Sequence, residues 1–135
     1  MSQHDNIEQQ KKFGAAVQSG DFDQLADLVA ADCVDHDPAP GQVAGPEGYA
    51  DFFGQLRQAF PDMKIEPIHL VADDDNVAFA YTLTGTHQGP FMNVAPSGKT
   101  IKVRGMQISK FRDGKMVERW GSSDQLGILQ QLGAA

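Results

Sequence analysis

Apolar residues recur every three to four positions through the first sixty residues, then every second position, so helices should precede strands. Phe13, Ala16 and Val17 mark a first helix that Ser19-Gly20 stops. Asp21 is the expected cap of a second, with Gln24 three residues on and Phe22, Leu25, Leu28 and Val29 as its buried stripe. The prolines and glycines of CVDHDPAPGQVAGP deny it regular structure, apart from a short extended piece over Cys33–Asp37. Pro46 opens a third helix, and Tyr49, Phe52, Phe53, Leu56 and Phe60 then follow at i, i+3, i+4, i+7 and i+11 before Pro61-Asp62 ends it. That face is core, and a helix so aromatic equally serves as a pocket wall, which makes Phe53 and Phe60 candidate lining residues.

From Met63 the period is two. Ile65, Ile68, Leu70 and Val71 lie in one strand, Asp73–Asn76 supplies a turn, and Val77, Phe79, Tyr81 and Leu83 alternate along the next. A long connection, His87 to Gly98, leads to Ile101, Val103 and a hairpin about Asp113-Gly114, the signature of a two-residue type I′ turn. Regular pairing from that turn sets Arg112 beside Lys115, Phe111 opposite Met116, Ser109 opposite Glu118 and Gln107 opposite Trp120. Asp124 follows, then the apolar tail Leu126, Ile128, Leu129 and Leu132. Helices followed by strands on short turns define an α+β class with an antiparallel sheet of four longer strands. A sheet curled around three N-terminal helices leaves a concave end for a small molecule.

At 135 residues, 41% hydrophobic and 21% charged, residues 1–135 make one ordinary domain. No apolar run approaches the roughly 20 residues of a membrane span, and the first ten residues lack signal-peptide character, so a cytoplasmic location is the expectation. The lone Cys33 cannot form an internal disulfide. Net charge is −7, split into −11 over residues 1–98 and +4 over residues 99–135. An acidic chain repels phosphate backbones, so no nucleic-acid partner is expected. The basic stripe Lys99, Lys102, Arg104, Lys110, Arg112 and Lys115 reads as the solvated face of a sheet. Apolar residues on both faces of the late strands, Ile108 and Val117 against Phe111 and Met116, predict a homodimer or homotetramer through the face that the helices leave uncovered.

Several motifs fail on spacing. Pro96–Thr100 resembles a phosphate loop, but Asn93 stands where its first glycine belongs. Asp35-His36-Asp37 has metal-ligand residue types, yet successive residues cannot all face one ion, so no metal site is expected. Asp73-Asp74-Asp75 lacks the glycine and distal glutamate of a calcium loop. What remains is Asp124, between a tryptophan and a leucine-rich tail, with Gln107, His36 and Tyr81 as candidate polar neighbours. A carboxylate withheld from water is the stronger base, and neutral donors can hold an enolate oxygen, so the set suits proton abstraction beside a carbonyl. The competing role for Asp124 is to cap the terminal helix.

Gly85-Thr86-His87-x-Gly89, Pro96-Ser97-Gly98-Lys99, Asp113-Gly114-Lys115, Glu118-x-Trp120-x-x-x-Asp124 and Gln131-Leu132-Gly133, with His36-Asp37-Pro38 and Gly45-Pro46-Glu47 earlier, resemble the SnoaL-like polyketide (ester) cyclases of the NTF2-like superfamily. The resemblance spans nearly the whole chain. It implies a cone of helices in a strongly curved antiparallel sheet and a cofactor-free enzyme that closes a ring by intramolecular aldol condensation of a small hydrophobic carbonyl substrate. It further implies that Asp124 is the general acid/base and that His36 and Trp120 belong to the pocket. The Gly105–Lys110 strand would face the substrate, with Gln107 and Ser109 where some relatives carry histidine. A hydroxylase or hydrolase on the same scaffold and a non-catalytic binding or dimerisation module are the alternatives.

Overall fold

The computed structural model describes residues 2–135. Helix α1, Gln3–Ser19, opens on a reciprocal capping box, in which the Ser2 hydroxyl accepts from Asp5 N at 3.1 Å while the Asp5 carboxylate accepts from Ser2 N at 3.2 Å. It stops at Gly20, whose φ of 79° is open to glycine at no cost. The second helix is shorter than the pattern predicts. A 3₁₀ turn over Phe22–Gln24 runs into a single-turn α2, Leu25–Leu28. Asp21 does not cap it through the backbone, because its carboxylate is taken by the Gln24 side-chain amide at 2.6 Å. Val29, expected on the helical stripe, instead begins strand β1, Val29–Asp35, as suits a β-branched residue. Helix α3, Pro46–Ala59, has proline in its first turn and buries Tyr49, Phe53 and Leu56.

Strands β2 (Lys64–Ala72), β3 (Asn76–Thr86), β4 (Thr100–Arg112) and β5 (Lys115–Ser123) form an antiparallel meander, and helix α4, Gln125–Gln131, follows. The extended piece foreseen near Cys33 is longer than expected. It adds β1 as a fifth strand, parallel to β5, giving the order β1-β5-β4-β3-β2 in an open sheet. Helix α1 packs over β2 and β3, α3 against β1 and α4 against β4. Phe13 meets Tyr49 and Phe53 edge-on, at centroid distances of 5.7 and 6.0 Å, joining α1 to α3 in the core. Among the described residues, no helix is long and apolar enough to cross a membrane.

The last hairpin turns where it should. Asp113 and Gly114 both have positive φ, 53° and 82°, as a type I′ turn requires. Arg112 pairs Lys115 and Phe111 pairs Met116, but the ladder then slips by one residue, so that Lys110 faces Glu118, Ser109 faces Arg119, Ile108 faces Trp120 and Gln107 faces Gly121. Val117 is the extra residue of a β-bulge, and it corrects the expected pairings of Ser109 with Glu118 and of Gln107 with Trp120. Because side chains alternate, one inserted residue exchanges the faces of everything beyond it. Arg119, Gly121 and Ser123 join Gly105, Gln107 and Ser109 on the inner face, which the helices cover. Trp120 joins Met106 and Ile108 on the outer face, where these two are 67% and 43% exposed.

Candidate functional site

Three rows of side chains cross the inner face of the sheet. The first is Tyr81, Gly105 and Ser123, the second Phe79, Gln107 and Gly121, and the third Val77, Ser109, Arg119 and Asp35. Two glycines shape them. A Cβ on Gly121 would overlap the Arg119 guanidinium, and one on Gly105 would overlap the ring tip and hydroxyl of Tyr81. Neither glycine has positive φ, so both are there for space.

Arg119 is the centre of a polar chain. Its Nη1 donates to both Asp35 carboxylate oxygens, at 3.3 and 3.1 Å, and its Nε donates to Gln107 Oε1 at 2.9 Å. Gln107 Nε2 donates in turn to Ser109 Oγ at 2.9 Å. Since Nε–H can only donate, it fixes which end of the Gln107 amide is oxygen. The Arg119 and Asp35 side chains are 15% and 7% exposed, so this is a nearly buried ion pair. Asp37 N and the Gln42 amide donate the remaining bonds to the Asp35 carboxylate, at 2.9 and 3.3 Å. A buried charge pair needs such full satisfaction to persist.

The chain borders a cavity of about 890 Å³ between the helices and the sheet, walled by Phe13, Phe53, Leu56, Phe79 and Tyr81 and bearing Gln107 and Arg119. A recess of about 360 Å³ adjoins it, sharing Phe52, Phe53, Arg119 and Ser123, and carries Asp35, Asp37 and Tyr49. The rim includes Pro90 to Asn93 of the β3–β4 connection. Behind that loop sits Phe60, fully buried against Phe91 at 5.4 Å and His87 at 5.6 Å. Burial pushes the Cys33 thiol up to about 11, so the thiol stays neutral and a weak nucleophile. Burial raises the Tyr49 phenol as well. Among the described residues, no three or more His, Cys, Asp or Glu side chains gather as a metal-ligand set.

The predicted site residues separate into two groups. Gln107, Tyr81 and Phe53 line the cavity, and Ser109 stands directly behind Gln107. His36 and Trp120 do meet, stacked at 4.5 Å with 9° between their planes, but off the cavity. There His36 Nε2 also bonds Glu118 at 3.0 Å. Asp124 is exposed at the start of α4, where its carboxylate accepts from Gly127 N at 2.8 Å, and it lines neither space. Phe60 supports the rim from behind. Asp35 and Arg119 were not foreseen as partners, because Arg119 faces inward only through the bulge.

The SnoaL-like polyketide cyclase family model matches residues 8–132, and the chain belongs to that family. Solved structures agree on an NTF2-like fold. TsrD of Streptomyces laurentii superposes with a TM-score of 0.90 at 24% identity, over 100% of this chain and 99% of that one. IdmH of Streptomyces antibioticus, described as a candidate polyketide cyclase, is 32% identical with a TM-score of 0.83, over 95% of this chain and 98% of its own. AclR of Streptomyces galilaeus, described as a candidate hydroxylase, is 28% identical with a TM-score of 0.86, over 99% and 88%. Among curated protein sequences none matches.

Proposed function

We propose that this protein is a cyclase- or isomerase-type enzyme that performs acid/base, aldol-like chemistry on a hydrophobic carbonyl compound of polyketide type held in the cavity. The observation that carries the reading is the Asp35–Arg119 pair beside an aromatic-walled space. In this reading Asp35 takes the proton from the carbon between two carbonyls. The carboxylate becomes neutral as the substrate becomes an enolate, and Arg119 exchanges one anionic partner for the other. The site therefore holds one cation and one anion throughout, and no bare charge is buried at any stage. Gln107 fixes the guanidinium through Nε, while the apolar walls exclude water and strengthen the interaction.

A β-diketo ester in deuterium oxide tests this. The wild type should exchange the acidic C–H and convert the ester to a cyclised isomer. Asp35→Asn should slow exchange by about 10²–10⁴, the usual worth of a positioned base. Exchange at the wild-type rate in that variant would remove Asp35 from the chemistry. The likeness to AclR favours a second reading, a hydroxylase on the same scaffold. Incorporation of labelled oxygen from O₂, with no cyclised isomer, would select it.

A further inference from the structure

We propose that Tyr81 is a second catalytic residue, whose phenol, seated over Gly105, donates its proton to the substrate oxygen that becomes a hydroxyl. The inference rests on the reading of Asp35 and Arg119 above and names the acid that this reading lacks.

An aldol addition needs two proton movements. A proton leaves carbon, and the enolate carbon then bonds to the acceptor carbonyl carbon. As that C=O π bond opens, its electron pair must receive a proton on oxygen. Asp35 accounts for the first movement only. Tyr81 supplies the second, leaving a phenolate that regains its proton from the Asp35 carboxylic acid through solvent. Both side chains return to their starting state, and the net reaction is an isomerisation.

The geometry gives Tyr81 this part. Tyr81, Gly105 and Ser123 are consecutive partners across β3, β4 and β5. Any side chain at position 105 would occupy the space of the Tyr81 hydroxyl, and the backbone there has no need of glycine. The missing Cβ lets the ring lie across β4 and bring its hydroxyl toward Ser123 and Arg119, and all three residues line the cavity. Plain packing would require the ring but no room for its oxygen. Burial raises the phenol's pKa, with Arg119 and Ser123 opposing only in part, so the group is protonated at neutral pH and can donate. The other buried phenol differs: the Tyr49 hydroxyl is sealed from solvent without a hydrogen-bond partner of acceptable geometry.

Two measurements on Tyr81→Phe and Gly105→Ala test the proposal, after circular dichroism confirms that each variant folds. The first uses 2-naphthol, a flat enol mimic whose fluorescence reports binding and ionisation. Tyr81→Phe should weaken its binding about tenfold, the worth of one lost hydrogen bond in a dry site. Gly105→Ala should weaken it as well, by displacing the hydroxyl. The second compares deuterium exchange with cyclisation of the β-diketo ester. Tyr81→Phe should lower cyclisation at least tenfold more than it lowers exchange, because exchange needs no proton on oxygen. Equal naphthol affinity in wild type and Tyr81→Phe, or equal loss of exchange and cyclisation, would overturn the assignment. Wild-type exchange that ignores Asp35→Asn would instead sink the base, while the naphthol result still decides Tyr81.

Discussion

The two faces in the middle of the β4–β5 hairpin carry residues opposite to what their surroundings favour. Inside are Gln107, Ser109 and Arg119, polar groups held in a network and nearly withheld from water. Outside are Met106, Ile108 and Trp120, apolar groups left substantially in contact with it. Hydrophobicity alone would assign this middle stretch the other way round, whereas toward its ends the hairpin has the usual sense, with Ile101, Val103, Phe111 and Met116 inside and Lys102, Arg104 and Arg112 outside. A polar inner face is stable here because each group finds a partner and because two glycines make room for the large heads beside them. The sheet thus holds a polar network inside and leaves apolar surface outside, where the expectation of self-association rests.

The sharpest way to break the contrast is to insert one alanine between Glu118 and Arg119. With Lys110 still paired to Glu118, the added residue should turn Trp120 inward and expel Arg119, leaving Asp35 without its cation. The loss should be at least the roughly 3 kcal/mol that an unpaired buried charge costs, and turnover should vanish. Any variant that still folds should show its single tryptophan emitting at shorter wavelength, since the indole would leave solvent. Unchanged emission and melting temperature would mean that the parity of residues beyond Glu118 does not set the faces.

A gentler test separates what the ion pair does for stability from what it does for function. Arg119→Leu should cost about 3 kcal/mol in denaturant unfolding, because Asp35 stays behind uncompensated. Asp35→Leu combined with Arg119→Leu should recover most of that stability, as apolar replacement of a buried pair commonly does. Neither variant should catalyse exchange. If the double variant is no more stable than the single one, the cost lies in the Gln107 and Ser109 bonds instead.

Much of the fold was legible because it depends on repeated local signals. The stop at Gly20, Pro46 at the start of α3 and the Asp113-Gly114 turn each fix backbone geometry through one or two residues. The polar centre was not legible in the same way. A single extra residue at Val117 reverses the parity of everything after it, and the sequence around it carries no glycine or proline to announce a bulge. Regular alternation therefore put Trp120 beside Gln107 and hid Arg119. The available clue was the small residues at 105, 109, 121 and 123, which make poor core but ample room. β1 was underestimated for a related reason: its partner β5 lies far along the chain, and parallel pairing leaves no hairpin signal.

The smallest expected effect concerns Asp124, the residue that resemblance makes the base and that the geometry makes a cap. Its carboxylate accepts from Gly127 N, and a Cβ on Gly127 would overlap that carboxylate, so the cap and its glycine are matched. Asparagine caps a helix about as well as aspartate. Asp124→Asn should therefore change neither the melting temperature nor the rate of C–H exchange. Asp124→Ala loses the acceptor and should cost about 1 kcal/mol, a shift of about 4 °C in a domain of this size, again with exchange preserved in the folded protein. The pair of variants distinguishes the two roles without a known natural substrate, because a cap responds to alanine alone, whereas a base responds to both substitutions. Loss of exchange in Asp124→Asn at an unchanged melting temperature would return the proton to Asp124 and leave Asp35 as the residue that orients Arg119.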